Sequence, residues 1–585
     1  MTAGRAGKVM PIEDALDRFV RPGDHLHLGY NEARPNGAVL ALVRRFAGIR
    51  PGFTLSTGGL VSSQSALVSE GLLSKVIASF VGDNYPTGGP NPLFQAAIDD
   101  GRLACEETTL WTLVARLMAG ALGVPFLPVN SLGGSGLAAQ DWVATTSDPF
   151  GGGAVTVVAA LQPDVVVLHG VAADPDGNVI LSPPYGETAW GSLAARRGVI
   201  ATVEKVLDAE DVRRYQSLVK IPAHVVRAVC PLPLGAHPYG LYSPIPEVAG
   251  YAEDDAFILD QRAAAAEPAR QRAWVDTWIH STPSHADYLD RLGADRLGRL
   301  LGAATPGAWS LTGDAIDRHS PAAAEERMTI EAARVIEGRI AAGGVDVLMT
   351  GIGYANLAAW VAHGRMVAAG RDVPLMAEIG AYGYDPRPGD PFIFSHRNLP
   401  TCSWMTDVAG ILGSIVAGRH GNCLAVVGAG AIDRDGNVNS SRTGKGGFLV
   451  GSGGANDIAS GAAELIVVLK HGRHRLVPAV PFVTCPGERV GCIVTTEAVL
   501  ERDRASGGFV VQRVLDGTGG LACAVERVRA GCGFDLDVAR DISVAAPVDR
   551  AELDRLRSFD PRGSFLPLAS PAADPGRAVV AVTAP

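Results

Sequence analysis

Continuous runs of β-branched and aliphatic residues recur along the whole chain, and they limit its possible folds more than any other feature. The clearest are His25–Gly29, Lys75–Val81, Val165–Gly170 and Val199–Val203 in the first half, and Val345–Thr350, Cys423–Val427, Leu465–Leu469 and Gly508–Gln512 in the second. Runs without alternating polar residues predict strands that are buried on both faces. Helical patterns lie between them, for instance at Ala38–Phe46 and Ile330–Ala342. The sequence therefore predicts an α/β fold with mainly parallel sheets.

One segment of the chain occurs twice. Ala172–Val179 reads AADPDGNV, and Ala431–Val438 reads AIDRDGNV. Each follows an apolar run, and Asp-Gly is a turn signal that favours a positive φ angle. Turn chemistry explains only part of this match, and the rest indicates two halves of common architecture. We therefore predict two related, open, mainly parallel-sheet domains in tandem.

The length of 585 residues exceeds what a single hydrophobic core usually supports, so two to four domains are expected. We predict a first α/β domain over residues 1–260 and a second over residues 326–568. Residues 261–325 are rich in Ala, Arg and Asp and lack strong β runs, which predicts a helical extension and a linker. The Pro- and Ala-rich residues 569–585 are predicted to be a C-terminal tail.

Composition argues against several classes of protein. The net charge is −10 and the chain has no basic run, so we predict no nucleic-acid partner. No apolar run reaches the roughly 18–20 residues of a membrane-spanning helix. The first twenty residues lack the apolar core of a secretory signal. The eight cysteines form no Cys-x-x-Cys pair, so we expect free thiols and a cytoplasmic location.

Other motifs with known chemistry are weak or absent. His25 and His27 alternate on a predicted strand, and His471 and His474 flank a turn, but no carboxylate or cysteine completes a metal site around either pair. We therefore predict no metal. The segment after Thr350 begins Gly-Ile-Gly but lacks the third glycine of a dinucleotide fingerprint. No G-x-S-x-G nucleophile elbow of a serine hydrolase is present.

The segment Val373–Pro391, VPLMAEIGAYGYDPRPGDP, delivers a carboxylate to a glycine-rich turn. An apolar run ends at Glu378, and Gly380 and Gly383 follow closely. A side chain at the carboxyl end of a parallel strand lies beside the crevice where open α/β sheets bind ligands. A glutamate that caps a strand in solvent is the alternative interpretation. The neighbouring motifs favour a functional residue.

These residues resemble the Ser-Glu-x-Gly nucleophile turn in the β half of family I CoA-transferases, with Ala377 in place of the serine. Seven further segments resemble pieces of both halves of that family, in the family's order: Ser79–Asn84, Arg116–Pro128, Pro163–Asn178, Ile221–His237, Gly428–Ser441, Gly451–Ser460 and Phe482–Gly487. The resemblance covers roughly residues 8–245 and 328–550. It is closest to the glutaconate CoA-transferase-like branch, with the α and β parts joined here in one chain.

The resemblance implies an enzyme that transfers coenzyme A between an acyl-CoA and a small carboxylic acid, with CoA as a substrate and no permanently bound cofactor. Glu378 would attack the acyl-CoA and form a mixed anhydride, which the CoA thiolate would convert into a glutamyl-CoA thioester. A carboxylate with an ordinary pKa of about 4 is ionised at pH 7, so we expect it to need no general base. The active site would lie at the interface of the two domains, and the fused chains would pair as a homo-oligomer, most simply a dimer.

Glycine-rich turns are expected to supply backbone N–H groups to the reacting carbonyl or to CoA, because glycine lets a backbone approach closely. The candidates for this oxyanion- or CoA-binding role are Gly380, Gly428, Ala429, Gly430, Gly453, Gly454 and Ala455. Asn31 and Arg34 follow the first predicted strand and are candidates for the acyl pocket. The family's usual Gly-Gly-Phe is replaced there by Gly-Tyr-Asn.

Two other functions fit the same sequence. Some relatives with this fold are ring-opening CoA-ester hydrolases that depend on a glutamate of the α half, and Glu107 is the candidate base for water. A carboxylate stabilised at a helix N-terminus is the structural alternative for Glu107. The second possible function is a non-catalytic ligand-sensing protein on the same fold, since fold alone does not establish catalysis.

Overall fold

The computed structural model describes residues 7–305, 307–308, 316–418 and 422–567. The predicted α/β architecture with large, mainly parallel sheets is confirmed. The predicted C-terminal tail, residues 569–585, and part of the predicted linker lie outside the described residues. No helix of the described residues has both the length and the apolar character that crossing a membrane requires.

The first half is built on a nine-stranded sheet. Its twelve strands, three of which form a separate small sheet, are β1 His25–Leu28, β2 Phe53–Leu60, β3 Leu73–Val81, β4 Ala104–Glu107, β5 Phe126–Val129, β6 Val143–Ser147, β7 Ala154–Ala159, β8 Val165–Ala173, β9 Val179–Ile180, β10 Gly198–Val206, β11 Val219–Ile221 and β12 Val226–Pro231. The large sheet has the order β11-β9-β8-β1-β2-β3-β4, and β10 lies between β8 and β12. Only the pairings that involve β9 are antiparallel. Strands β5, β7 and β6 form the antiparallel small sheet.

The second half is built on a ten-stranded sheet. Its strands are β13 Val347–Thr350, β14 Leu375–Ala377, β15 Ala381–Tyr382, β16 Trp404–Met405, β17 Cys423–Gly428, β18 Ala431–Asp433, β19 Val438–Asn439, β20 Glu464–Leu469, β21 Leu476–Val477, β22 Val490–Thr495, β23 Ala498–Arg502, β24 Phe509–Val514 and β25 Asp537–Val544. The large sheet has the order β16-β15-β14-β13-β17-β20-β22-β23-β24-β25. Its centre, from β14 to β22, is parallel. Strands β19, β18 and β21 form a separate small sheet.

Helices cover the sheets and fill the connection between the halves. The α-helices are α1 Ile12–Phe19, α2 Asn36–Phe46, α3 Ser65–Ser69, α4 Pro92–Asp99, α5 Leu110–Leu122, α6 Thr188–Ala194, α7 Ala209–Arg214, α8 Asp255–Ala265, α9 Pro268–Val275, α10 His285–Leu292, α11 Ala294–Ala303, α12 Ala324–Ala341, α13 Tyr354–Ala368, α14 Ala455–Gly461, α15 Leu521–Ala530 and α16 Arg550–Phe559. Two π-helices span Asp276–His280 and Ala409–Val416. Short 3-10 turns occur at Ser62–Gln64, Gly136–Ala139, Gln216–Leu218, Ala223–Val225 and Leu399–Thr401.

The apolar runs of the sequence form the buried centres of these sheets. All nine residues of β8 are buried, as are the last five of β20. Helices α8 to α11 occupy residues 255–303, as the Ala- and Arg-rich composition predicts. Burial on both faces therefore accounts for the continuous apolar patterns.

The repeated Asp-Gly-Asn segment folds in the same way in both halves. In the first half, the Asp174 carboxylate accepts the backbone N–H of Gly177 at 2.8 Å and of Asn178 at 2.9 Å. In the second half, the Asp433 carboxylate accepts the N–H of Asp435 at 3.0 Å and of Asn437 at 2.9 Å. In both copies the glycine of the motif has a positive φ angle, 99° and 85°. The carboxylates thus fix one type of turn twice.

The strands before these two turns differ. Strand β8 runs without interruption into its turn, whereas the matching stretch of the second half stops at Gly428 and resumes at Ala431 as β18. The interruption consists of Ala429 and Gly430. The guanidinium of Arg475 donates to both of their carbonyl oxygens, at 3.4 and 3.0 Å.

Candidate active site

Glu378 follows β14 directly and is half-buried at the carboxyl end of the parallel strands. The next turn is tightly built, because Gly380 has a φ angle of 126° and a Cβ there would overlap the Thr406 carbonyl. The Gly380 carbonyl in turn accepts the Thr406 N–H at 2.8 Å. Close backbone packing, rather than an exposed amide, is therefore what requires glycine at position 380.

The Glu378 carboxylate faces the start of α14. Its Oε2 atom lies so close to Gly454 that a methyl group on that residue would overlap it, and the Gly454 N–H is hydrogen-bonded to the carboxylate. Burial, together with the negative charge of Asp457, raises the pKa of Glu378 to about 7, while the Gly454 N–H lowers it. The expectation that Glu378 is fully ionised at pH 7 is therefore wrong, because its site is desolvated.

Asp457 connects α14 to the first half. It is 2% exposed, and its carboxylate accepts the Thr109 hydroxyl at 2.6 Å, the Ser131 hydroxyl at 2.6 Å and the Trp111 N–H at 2.9 Å. Two of these donors lie at the N-terminus of α5, where a carboxylate is favourable. Burial raises the pKa of Asp457 to about 6, and the three donors oppose this. Asp457 thus joins the halves and acts on Glu378 electrostatically.

The first half also contacts the turn that carries Glu378. The N–H of Gly186 donates to the Ile379 carbonyl at 3.1 Å, and the N–H of Tyr185 donates to the Thr406 carbonyl at 2.8 Å. Tyr30 packs in the same hydrophobic cluster as Ile379, and the Glu378 charge helps to raise the pKa of the Tyr30 hydroxyl. Glu378 therefore lies at the boundary between the two halves.

The predicted amide donors of the loop before α14 differ in availability. The Gly453 N–H donates to the Ser79 carbonyl at 2.8 Å, and the Ala455 N–H donates to the Ser452 carbonyl at 3.1 Å. Both are thus committed within the chain, whereas the Gly454 N–H meets Glu378. The Gly453 carbonyl accepts the N–H of Leu110, so this loop is bound on both sides to the first half.

The Gly428–Gly430 turn lies at the same edge of the sheet as Glu378, since β17 and β14 flank β13 in parallel. Gly428 and Gly430 are exposed. Among the described residues, no backbone carbonyl accepts the N–H of Ala429 or Gly430. Arg475 holds the carbonyl side of the turn, which leaves these N–H groups available to a ligand.

Glu107, the last residue of β4, is 1% exposed and points across the boundary into the second half. It forms an ion pair with Arg442 at 2.9 Å and accepts the Ser441 hydroxyl. Burial raises the pKa of Glu107, and the Arg442 charge and the Ser441 hydroxyl oppose this. The carboxylate is not solvated, and its buried ion pair joins the halves.

The two candidates for the acyl pocket occupy different surroundings. Asn31 is buried, and its amide nitrogen donates to the Ser182 carbonyl at 2.9 Å, which ties it to the first half. The Arg34 guanidinium lies 4.3 Å from the centre of the Tyr30 ring and 3.8 Å from that of the Tyr239 ring. Asn84 bridges the two tyrosine hydroxyls, at 3.2 Å each.

Sequence reasoning missed Asp457, Tyr30 and Glu187 as parts of this site. Asp457 follows the glycine-rich loop immediately, and a polar pair at the start of a helix was the signal that could have identified it. Glu187 is fully buried, and its Oε1 accepts the N–H of Tyr30 at 2.9 Å and of Gly58 at 3.3 Å. Nothing in its local sequence distinguishes it. Among the described residues, no group of three His, Cys, Asp or Glu side chains is arranged to hold a metal ion.

Comparisons with known proteins agree with this arrangement. Residues 9–229 match the sequence model of the family described as Coenzyme A transferase. The first half is 29% identical over 323 residues to one of the two subunits of glutaconate CoA-transferase from Acidaminococcus fermentans, a match that covers 50% of this chain and 94% of the relative. A further match, to the other subunit of the same enzyme, is 27% identical over 256 residues and covers 36% of this chain and 92% of the relative. The chain thus contains counterparts of both subunits.

Two further similarities complete the comparison. A cholesterol ring-cleaving hydrolase subunit of Mycobacterium tuberculosis is 28% identical over 246 residues, covering 39% of this chain and 80% of the relative. The crystal structure of an acyl-CoA transferase from Escherichia coli, a thioester complex with CoA, superposes with a TM-score of 0.65 at 13% identity. This superposition covers 94% of our chain and 96% of the other, and it shows that one polypeptide can carry the whole two-domain fold.

Proposed function

We propose that this chain, which belongs to the coenzyme A transferase family, moves coenzyme A between an acyl-CoA and a carboxylic acid through a thioester on Glu378. The observation that carries the proposal is the position of Glu378. A desolvated carboxylate faces a backbone N–H at the boundary of two domains that both resemble parts of such transferases.

The proposed chemistry needs no group beyond the substrates and the chain. An ionised Glu378 oxygen attacks the thioester carbonyl carbon, the carbon–sulfur bond breaks, and CoA leaves as a thiolate. The thiolate then attacks the Glu378 carbonyl carbon and expels the first acid as a carboxylate, which leaves a glutamyl-CoA thioester. An incoming carboxylate reverses these two steps and departs as the new acyl-CoA.

The surroundings of Glu378 suit these steps. The Gly454 N–H is already bonded to the carboxylate, so it can stabilise the negative oxygen that forms when the Glu378 carbonyl is attacked. Exclusion of water protects the anhydride and thioester from hydrolysis. We assign the free N–H groups of Ala429 and Gly430 to CoA or to the substrate carbonyl oxygen. One donor of this kind is typically worth about 3–4 kcal/mol in the transition state.

Covalent trapping tests the proposal. Incubation with an acyl-CoA alone should add CoA to the protein at Glu378, and treatment with borohydride or hydroxylamine followed by peptide mass spectrometry should locate the modified residue. The Glu378→Ala variant should lose transfer and labelling but keep its affinity for CoA. Retention of transfer by Glu378→Ala would contradict the proposal. Tight acyl-CoA binding without any exchange of labelled carboxylate would instead favour a ligand-sensing protein.

A hydrolase is the second candidate, favoured by the buried Glu107 and by the similarity to part of a ring-cleaving hydrolase. In that case Glu107 would activate water, Glu378→Ala would remain active, and Glu107→Gln would be inactive without any trapped adduct. The ion pair of Glu107 with Arg442 and the proximity of Gly454 to Glu378 favour the transferase. The two variants, assayed side by side with an acyl-CoA, distinguish the two functions.

Assembly and location complete the proposal. We expect two fused chains to pair, because each already supplies counterparts of both subunits of its relatives. Light scattering during size-exclusion chromatography measures this state. A cytoplasmic location agrees with the eight cysteines, all of which are free thiols.

A further inference from the structure

Arg34 is a buried cation whose hydrogen-bonding capacity is largely unused. It is 1% exposed and stacked between the rings of Tyr30 and Tyr239. Its Nε and Nη1 atoms are buried without any hydrogen-bond partner among the described residues. Within that same part of the chain, no carboxylate lies within ion-pair distance of it. A guanidinium stays charged under all relevant conditions, and unmade hydrogen bonds of a buried charge are costly.

The nearest acidic groups do not neutralise this charge in the resting enzyme. Burial raises the pKa of Glu32 to about 8 and that of Glu187 to about 8, and the Arg34 charge lowers both only in part. Both carboxyl groups are therefore mainly protonated at pH 7. Each also has a buried Oε2 atom without a hydrogen-bond partner among the described residues. The pocket thus has one fixed positive charge and carboxyl groups that can donate hydrogen bonds.

The pocket adjoins the candidate nucleophile. The Tyr30 ring lies against Gly58 and Gly59, where any Cβ would collide with it. Its backbone N–H is held by Glu187, next to Gly186, whose own N–H donates to Ile379 in the turn of Glu378. Both aromatic walls of the pocket, Tyr30 and Tyr239, belong to the hydrophobic cluster that contains Ile379. An acyl group attached to Glu378 would therefore have its far end near Arg34.

We propose that Arg34 binds a second carboxylate at the far end of the acyl group, so that the enzyme acts on dicarboxylic acids and their mono-CoA esters. The proposal rests on the function assigned to Glu378 and specifies its substrate class. An incoming carboxylate would accept hydrogen bonds from the unused guanidinium nitrogens and supply the missing negative charge. A monocarboxylic acid of the same length would place a methyl group beside a buried cation and leave its donors unpaired.

Matched pairs of acyl-CoA esters test this inference. Rates of CoA transfer are measured for succinyl-, glutaryl- and adipyl-CoA against butyryl-, valeryl- and hexanoyl-CoA, which have the same chain lengths but no second carboxylate. We expect the best dicarboxylic ester to exceed its matched partner in kcat/KM by roughly 10- to 100-fold, the range expected for a charge-assisted hydrogen bond. In Arg34→Met this ratio should fall towards one, and Arg34→Lys, which keeps the charge, should give an intermediate ratio.

The possible results separate this inference from the function on which it rests. If monocarboxylic esters label Glu378 as well as or better than their partners, the role of Arg34 is overturned while the transferase stands. A high ratio that persists in Arg34→Met also overturns it, because another group must then select the carboxylate. If none of the six esters labels Glu378, the proposed function itself fails. Circular dichroism checks the fold of both variants, and the wild-type ratio remains decisive if neither variant folds.

Discussion

The rate at which the glutamyl-CoA thioester forms should increase with pH, because only ionised Glu378 is a nucleophile. Burial and the Asp457 charge place the pKa of Glu378 at about 7. At that pKa roughly 9% of the carboxyl groups are ionised at pH 6 and roughly 91% at pH 8, about a tenfold difference. A solvated glutamate with a pKa of about 4.3 would be almost fully ionised at both pH values, and the rate would hardly change.

Single-turnover mixing of enzyme with excess glutaryl-CoA, followed by quenching and intact mass spectrometry, measures this rate between pH 5.5 and 8.5. The Asp457→Asn variant lacks the neighbouring charge, so its midpoint should move to lower pH and its rate at pH 6 should approach that at pH 8. Glu488→Gln, which removes an exposed carboxylate, is the control and should keep the wild-type profile. A wild-type rate that is flat from pH 6 to pH 8 would refute the argument that desolvation controls Glu378.

Two further variants test contacts around the site. Gly454→Ala should abolish thioester formation without unfolding the protein, because its methyl group would overlap Glu378, whereas Gly444→Ala, with open space around it, should be active; equal rates in both variants would contradict the described contact. Arg442→Met should destabilise the protein, because it leaves the buried carboxylate of Glu107 without its cation, and losing one partner of a buried pair typically costs about 3–5 kcal/mol. Since burial raises the pKa of Glu107, this cost is present above its unfolded-state pKa and disappears as the pH falls below it; thermal unfolding should therefore show a large deficit at pH 8 and a small one near pH 4, and a deficit independent of pH would exclude the mechanism.

Local sequence patterns predicted most of the fold. The continuous apolar runs identified the central strands, since a strand buried on both faces has no need of polar residues. The repeated Asp-Gly-Asn segment predicted two related halves, and the structure gives both copies one pattern of carboxylate hydrogen bonds. These features depend on residues close together in the chain, so the sequence alone displays them.

The electrostatics of the site could not be predicted in the same way. The serine that hydrogen-bonds Glu107 is 334 residues away in the chain, and Asp457, which contributes to the raised pKa of Glu378, is held by donors from the other half. Which side chains meet across the boundary is decided by how the two sheets dock. The ordinary pKa assumed for Glu378 failed for this reason, because no local pattern reports desolvation.

The covalent connection between the halves has a consequence for how the enzyme behaves at low concentration. Glu378 comes from one half, while the donors that fix Asp457 and the aromatic walls around Arg34 come from the other. In relatives that consist of two separate polypeptides, these parts must find each other in solution. Here the tether gives each half a local concentration of its partner on the order of millimolar, as is typical of short linkers. The specific activity should therefore be insensitive to dilution, and one gene product guarantees an equal supply of both parts.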